Sequence, residues 1–179
     1  MKKILFWFLI LQSLSFLTVG AYQIWLQTAS YRLSFAHYSY AANTGIKGMV
    51  PERITITSLG IDLPIYKATI VHNIWPTTDF GASYLTSSPL PGDKGNSIIY
   101  AHNWISLFGK LRNAKIGDKV VITYPDHIKK TFVIEYTSIV TPNESSILAP
   151  SKDRRITMYT CTGFLDTKRF VAVAILQKS

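Results

Sequence analysis

The chain has 179 residues, 47% of them hydrophobic and 16% charged, with a formal net charge of +9. That composition excludes a disordered chain. Its single cysteine excludes an intrachain disulfide framework and any multi-cysteine metal site.

The amino terminus comes first. Met1-Lys2-Lys3 precedes an uncharged run from Ile4 to Leu26, long enough to cross a bilayer as a helix. Lysines on the short leading flank favour an N-terminus inside and a body outside. Val19-Gly20-Ala21 offers small residues for signal peptidase, so a cleaved signal peptide is the rival reading. Ile24, Trp25 and Leu26 extend the apolar run past that site, and Tyr22 and Trp25 suit an interface. Residues 1–26 are therefore expected to be a single-pass anchor. The remainder is expected on the outer face of the cell membrane, where a positive surface is drawn to anionic lipid or wall or simply keeps the chain soluble. Residues 27–50, polar and aromatic and ending in Asn43-Thr44-Gly45 and Gly48, read as a stem or linker.

From Pro51 the texture changes. Arg53-Ile54-Thr55-Ile56-Thr57 alternates polar and apolar, a half-buried strand pattern. Ile61 to Ile65 is a second short strand, with Pro64 pointing to an edge. Pro89 to Gly95 is a turn cluster. Strands are expected at 97–100, 119–124, 131–136, 156–160 and 170–176, with Pro125-Asp126 opening a turn and a short helical stretch at 104–113. Many short strands, few helices and frequent turns predict a mainly β fold, a closed or nearly closed barrel over 51–179. No internal repeat or low-complexity tract occurs.

Three side chains stand at strand ends. Cys161 closes Thr157-Met158-Tyr159-Thr160-Cys161, His102 follows Ser97-Ile98-Ile99-Tyr100, and Arg169 opens Phe170-Val171-Ala172-Val173-Ala174. A thiolate attacks, an imidazole moves protons, and a guanidinium stays charged and clamps an oxyanion. Each has a bland reading: a small buried hydrophobe, a loop histidine, a solvated strand end. Thr160 is either a plain β-branched strand residue or a substrate contact. His37 lies in the stem, His127 lies in a basic turn, and His72 has no motif around it. No histidine pair has helical or zinc spacing, so neither a metal nor another cofactor is expected. No basic tract interleaves with aromatics, so no nucleic-acid partner is expected either.

Taken together these motifs resemble the sortase family, the cysteine transpeptidases that attach exported proteins to bacterial cell walls. Thr157 to Cys161 is similar to the family's Thr-Leu-x-Thr-Cys signature, with Met158 where Leu is usual. Arg169-Phe170-Val171 resembles its arginine strand. Gly92 to Asn96 followed by Ser97 to His102 resembles its histidine strand and loop, with Ala101 where Gly is common. Phe108-Gly109-Lys110-Leu111 with Gly117-Asp118-Lys119-Val120, and Thr141 to Pro150, resemble two further stretches, the second a loop that helps recognise the sorting signal. The resemblance spans about residues 51–179. It implies a sortase-type barrel of about eight strands with short helices, and a catalytic set of Cys161, His102 and Arg169, with Thr160, Ile147 and Leu148 contacting substrate. It also implies cleavage of an LPXTG-like C-terminal sorting signal through a Cys161 thioacyl intermediate. The acyl group would pass to an amine of cell-wall precursor or pilin. Two rivals stand beside it. One is an L,D-transpeptidase-like or papain-like cysteine enzyme, which lacks its Ser-x-Gly-Cys or Cys-Gly-Ser-Cys context here. The other is a membrane-tethered, non-catalytic barrel that binds wall polymer.

Overall fold

The structure, a computed structural model, describes residues 2–28, 33–36, 38, 48–72 and 74–177. His37 and residues 39–47 lie outside the described residues. An N-terminal helix, α1 (Lys2–Thr28), contains an apolar stretch, Lys3–Trp25, of 23 residues with none of it buried against the rest of the chain. Its length and composition are those of a membrane span.

The remainder forms eight strands: β1 (Arg53–Ile56), β2 (Ile61–Ala68), β3 (Ala82–Leu85), β4 (Gly95–Tyr100), β5 (Lys119–Thr123), β6 (Lys129–Val140), β7 (Arg154–Thr162) and β8 (Lys168–Leu176). They close in the order β1-β2-β3-β4-β7-β8-β6-β5, with β5 pairing back onto β1. Closure leaves no free sheet edge. The expected closed barrel of about eight strands is what the chain forms.

Two apolar faces organise the barrel. Side chains alternate along a strand, so one set points inward and the other outward. Ile54, Leu63, Tyr84, Ile99, Ile122, Phe132, Met158 and Ala172 come one from each strand and fill the interior. Each of the larger side chains in that set contributes roughly 1.5–3 kcal/mol. The opposite parity of β4, β7 and β8 is also buried: Ile98, Tyr100, Tyr159, Cys161, Val171 and Val173 form a second core on the outside of the wall. Leu33 and Phe35, Trp75 from the β2–β3 connection, and Leu148 from the β6–β7 connection cover it.

Two differences from the sequence reading have clear causes. β3 went unrecognised because all four of its residues, Ala-Ser-Tyr-Leu, are buried and so show no alternation. Pro64, expected at an edge, lies inside β2, but the ladder with β3 begins only at Ile65. Its missing N–H therefore falls where β2 has β1 alone as neighbour. Gly81 fits here because a Cβ would stand 2.3 Å from the Pro64 carbonyl oxygen.

Candidate active site

Strand register brings the three sequence-predicted residues together. β4 and β7 run parallel with Tyr100 beside Tyr159, and Ala101 continues the pairing through its N–H to the Tyr159 carbonyl at 3.4 Å. β7 and β8 run antiparallel with Cys161 directly opposite Arg169. Directly opposed residues share a face and have Cβ atoms about 4.5–5.5 Å apart. By parity Cys161 and Arg169 lie on the outer, second-core face. His102 follows Tyr100 by two residues, at the end of β4. All three side chains are buried, at 3–4% exposure.

The neighbours fix them. His102 stacks on Trp104 with ring centroids 4.8 Å apart and planes 14° from parallel. Its Nε2 lies 3.9 Å from Asp79 Oδ1. The chain beyond His102 is locked by Phe108 N–H donating to the His102 carbonyl (3.0 Å), and by Leu107 and Gly109 N–H donating to the Trp104 carbonyl. Gly109 permits that close wrap, since a Cβ there would stand 2.5 Å from the Asn103 carbonyl oxygen. Asn103 Nδ2 donates to Asp166 Oδ1 (2.8 Å), latching the histidine loop to the β7–β8 turn.

Arg169 is held by three carbonyls. Its Nη1 donates to Asp166 O and Lys168 O, each at 3.0 Å, and its Nη2 to Ser34 O at 3.3 Å. Its Nε–H, buried, has no hydrogen-bond partner among the described residues. The guanidinium thus presents an unpartnered Nε–H opposite the strand end that bears the thiol.

Aromatic side chains wall the site. Tyr100 and Tyr159 stack at 5.3 Å, Phe35 meets Tyr159 edge-on at 5.0 Å, and Trp75 meets Tyr100 edge-on at 5.6 Å. The phenols tie down the cover: Tyr159 donates to Leu33 O (2.8 Å) and Tyr100 to Pro76 O (2.7 Å). Burial pushes both phenols well above the ordinary tyrosine range. The sign follows. Below about pH 10 both states keep the proton and the stabilisation is intact; above it only the unfolded chain releases protons. Stability is therefore expected to fall by about 3 kcal/mol per pH unit for the pair above about pH 10. Denaturant midpoints across that range check this, and Tyr159→Phe should flatten the slope. An unchanged slope in Tyr159→Phe would show that this phenol does not set the alkaline limit.

The other candidates fall differently. Thr160 faces the barrel interior beside Phe170, and its hydroxyl donates to the Ala101 carbonyl at 2.8 Å. Leu148 is fully buried in the second core, and Ile147 packs at its margin. Met158 and Ala101, the two departures from the family pattern, both belong to the interior core and not to the second core that holds Cys161. His72 and His127 lie in turns with positive φ, +49° and +63°. Sequence reasoning missed Asp79, which sits in a loop without a motif. It also missed Asn96, whose side chain accepts from Thr157 Oγ1 (2.7 Å) and donates to Ile147 O (3.3 Å) and Ala149 O (3.1 Å). That one amide pins the β6–β7 connection to β4. Asn96→Ala is expected to cost about 1–3 kcal/mol and to loosen the loop. Thermal unfolding, and a rise in KM exceeding any fall in kcat, are the readouts.

Comparisons with known proteins agree with this architecture. A family model described as the Sortase domain matches residues 54–177. Sortase A of Listeria monocytogenes is 33% identical over 137 residues, covering 74% of this chain and 59% of that protein. Sortase A of Bacillus anthracis is 28% identical over 134 residues, covering 73% and 61%. The matched region thus spans about three fifths of those relatives. The crystal structure of the Listeria sortase A superposes with a TM-score of 0.60 at 32% identity, over 73% of this chain and 88% of that one. Sortase A from Corynebacterium diphtheriae shares the fold, with a TM-score of 0.66 at 21% identity over 90% and 82%. On its matched domain, its barrel order and its strand-end cysteine, histidine and arginine, the chain belongs to the sortase family.

Proposed function

We propose that the chain is a membrane-anchored cysteine transpeptidase acting on C-terminal, LPXTG-like sorting signals of exported proteins. The observation that carries this reading is the register that sets Cys161 opposite Arg169, at the end of the strand beside the one that delivers His102. Residues 1–26 serve as the anchor, with the N-terminus inside, 27–50 as the stem and 51–179 as the catalytic domain.

The chemistry is ping-pong acyl transfer. The Cys161 thiolate attacks the carbonyl carbon of a Thr–Gly-like bond, and the carbonyl oxygen takes up the charge. Arg169, through its uncommitted Nε–H, stabilises that oxyanion. The C–N bond breaks as His102 gives its proton to the departing amine, leaving a thioester on Sγ. An amine of cell-wall precursor or pilin attacks the thioester, and His102 takes its proton. The tetrahedral adduct then collapses to a new amide and the free thiolate. Asp79 faces the imidazole, with its Oδ1 3.9 Å from Nε2. In this scheme Ile147 meets the substrate, Leu148 seats the loop beneath it, and Thr160 acts through Ala101.

The test is mass spectrometry of the full chain in detergent with a pool of Leu-Pro-x-Thr-Gly-like peptides and hydroxylamine. Hydroxamate formed after the Thr is expected. If stem peptides of the wall react and sorting peptides do not, an L,D-transpeptidase-like enzyme replaces this reading. No product together with a thiol inert to alkylation would assign a non-catalytic wall-binding barrel.

A further inference from the structure

The lips of the site carry an apolar rim that the chemistry does not use. Phe80 is 78% exposed, Ile105 79%, Phe164 84% and Leu165 49%. They come from three separate connections, yet side-chain contacts join those connections around one imidazole. Asp79, next to Phe80, faces His102. Trp104, next to Ile105, stacks on it. Asp166, next to Leu165, accepts from Asn103. The turn that displays Phe164 and Leu165 is also strained, with Leu165 at φ +51° and Asp166 at φ +57°. Clustered, exposed apolar side chains mark a contact surface, and side chains this exposed stand clear of the buried thiol.

Chain length says what that surface meets. α1 ends at Thr28, and Leu33 is already fixed, its carbonyl accepting from Tyr159. Five Cα steps of fully extended chain span at most about 18 Å. The helical residues after Trp25 add about 5 Å. Ser34 and the Phe164–Asp166 turn meet on the same guanidinium, through Arg169 Nη2 and Nη1. The end of the domain that bears the rim is therefore the end tethered to α1.

We propose that Phe80, Ile105, Phe164 and Leu165 form a docking surface for the lipid bilayer, holding the end of the barrel that bears Cys161, His102 and Arg169 against the membrane interface. This rests on α1 being an uncleaved anchor. Apolar and aromatic side chains enter the boundary between headgroups and acyl chains to a depth of roughly 5–10 Å. Asp79, Asp166 and Lys168 leave the rim without a basic cluster, so apolar insertion and not attraction to anionic lipid drives the contact, and zwitterionic phosphatidylcholine suffices.

The test uses the full chain, with Cys161→Ser removing the native thiol, reconstituted in phosphatidylcholine vesicles. An environment-sensitive nitrobenzoxadiazole label is placed at Phe164→Cys, at Ile105→Cys, or at Ile128→Cys. Ile128 is an equally apolar exposed residue in the β5–β6 turn, at the far end of the barrel. Labels at 164 and 105 are expected to show blue-shifted emission, quenched by lipids carrying a nitroxide near the headgroup, while the label at 128 stays aqueous. Aqueous emission at all three positions from chain that floats with the vesicles would overturn docking and leave the anchor standing. Chain that fails to float would overturn the anchor reading and docking with it. A blue shift at 164 that appears only on adding sorting peptide would assign the rim to the peptide instead.

Discussion

Cys161→Ala is expected to lower hydroxamate formation at least about a thousandfold while leaving the thermal midpoint nearly unchanged. The two halves of that result follow from one location. Cys161 belongs to the second core, where it touches the apolar face of β7 and its neighbours. Alanine keeps the strand and removes a single sulfur, so little packing is lost. The acyl step, in contrast, has no other thiol to use, because the chain contains only this one. Cys161→Ser separates the roles further: it keeps a hydrogen-bonding atom in place but attacks poorly without a strong base. An alanine variant that still makes hydroxamate at a measurable fraction of the parent rate would end the thioacyl mechanism for this chain.

Arg169→Ala should cut kcat by about 10²–10³, the usual effect of deleting an oxyanion donor. Arg169→Lys should recover little. An ammonium is a point charge with three rotating donors. The guanidinium already serves Asp166 O, Lys168 O and Ser34 O and still keeps Nε–H in reserve. Loss of those bonds strands carbonyls of the β7–β8 turn and of the segment at Ser34, at a cost of about 1–3 kcal/mol in stability. Steady-state kinetics alongside denaturant unfolding distinguish the effects. A kcat loss no larger than the stability change could produce would reduce Arg169 to a structural clamp.

The interior of the barrel was largely legible because one face of most strands meets a single core, which writes a period of two into the chain. Ile54 and Ile56 are the plainest case. The second core was not legible. It is assembled from Leu33 and Phe35, Trp75, Leu148 and the outer faces of β4, β7 and β8, segments too far apart for any periodicity to connect. For the same reason the polar and aromatic segment after α1 read as a stem, although residues 33–36 are packed against β7. The catalytic candidates could be read from their positions at strand ends. Their supports could not: Asp79, Trp104 and Asn96 gain meaning only through loops that fold back. β6 also runs further than its pattern, from Lys129 to Val140, because an irregularity between Ile134 and Tyr136 breaks the alternation midway.

The aromatic cover has a practical corollary. The chain has four tryptophans, and Trp7 and Trp25 belong to α1. The other two lie in the barrel domain: Trp104 lies flat on the His102 ring, and Trp75 is sealed from water against Phe35 and Tyr38 in the second core that also holds Cys161. The domain thus carries its own optical probes, one on the His102 ring and one in the core that holds Cys161. If a sorting peptide lifts the segment around Phe35, Trp75 becomes hydrated and its emission moves to the red. That displacement can then be timed by stopped-flow fluorescence without attaching any dye.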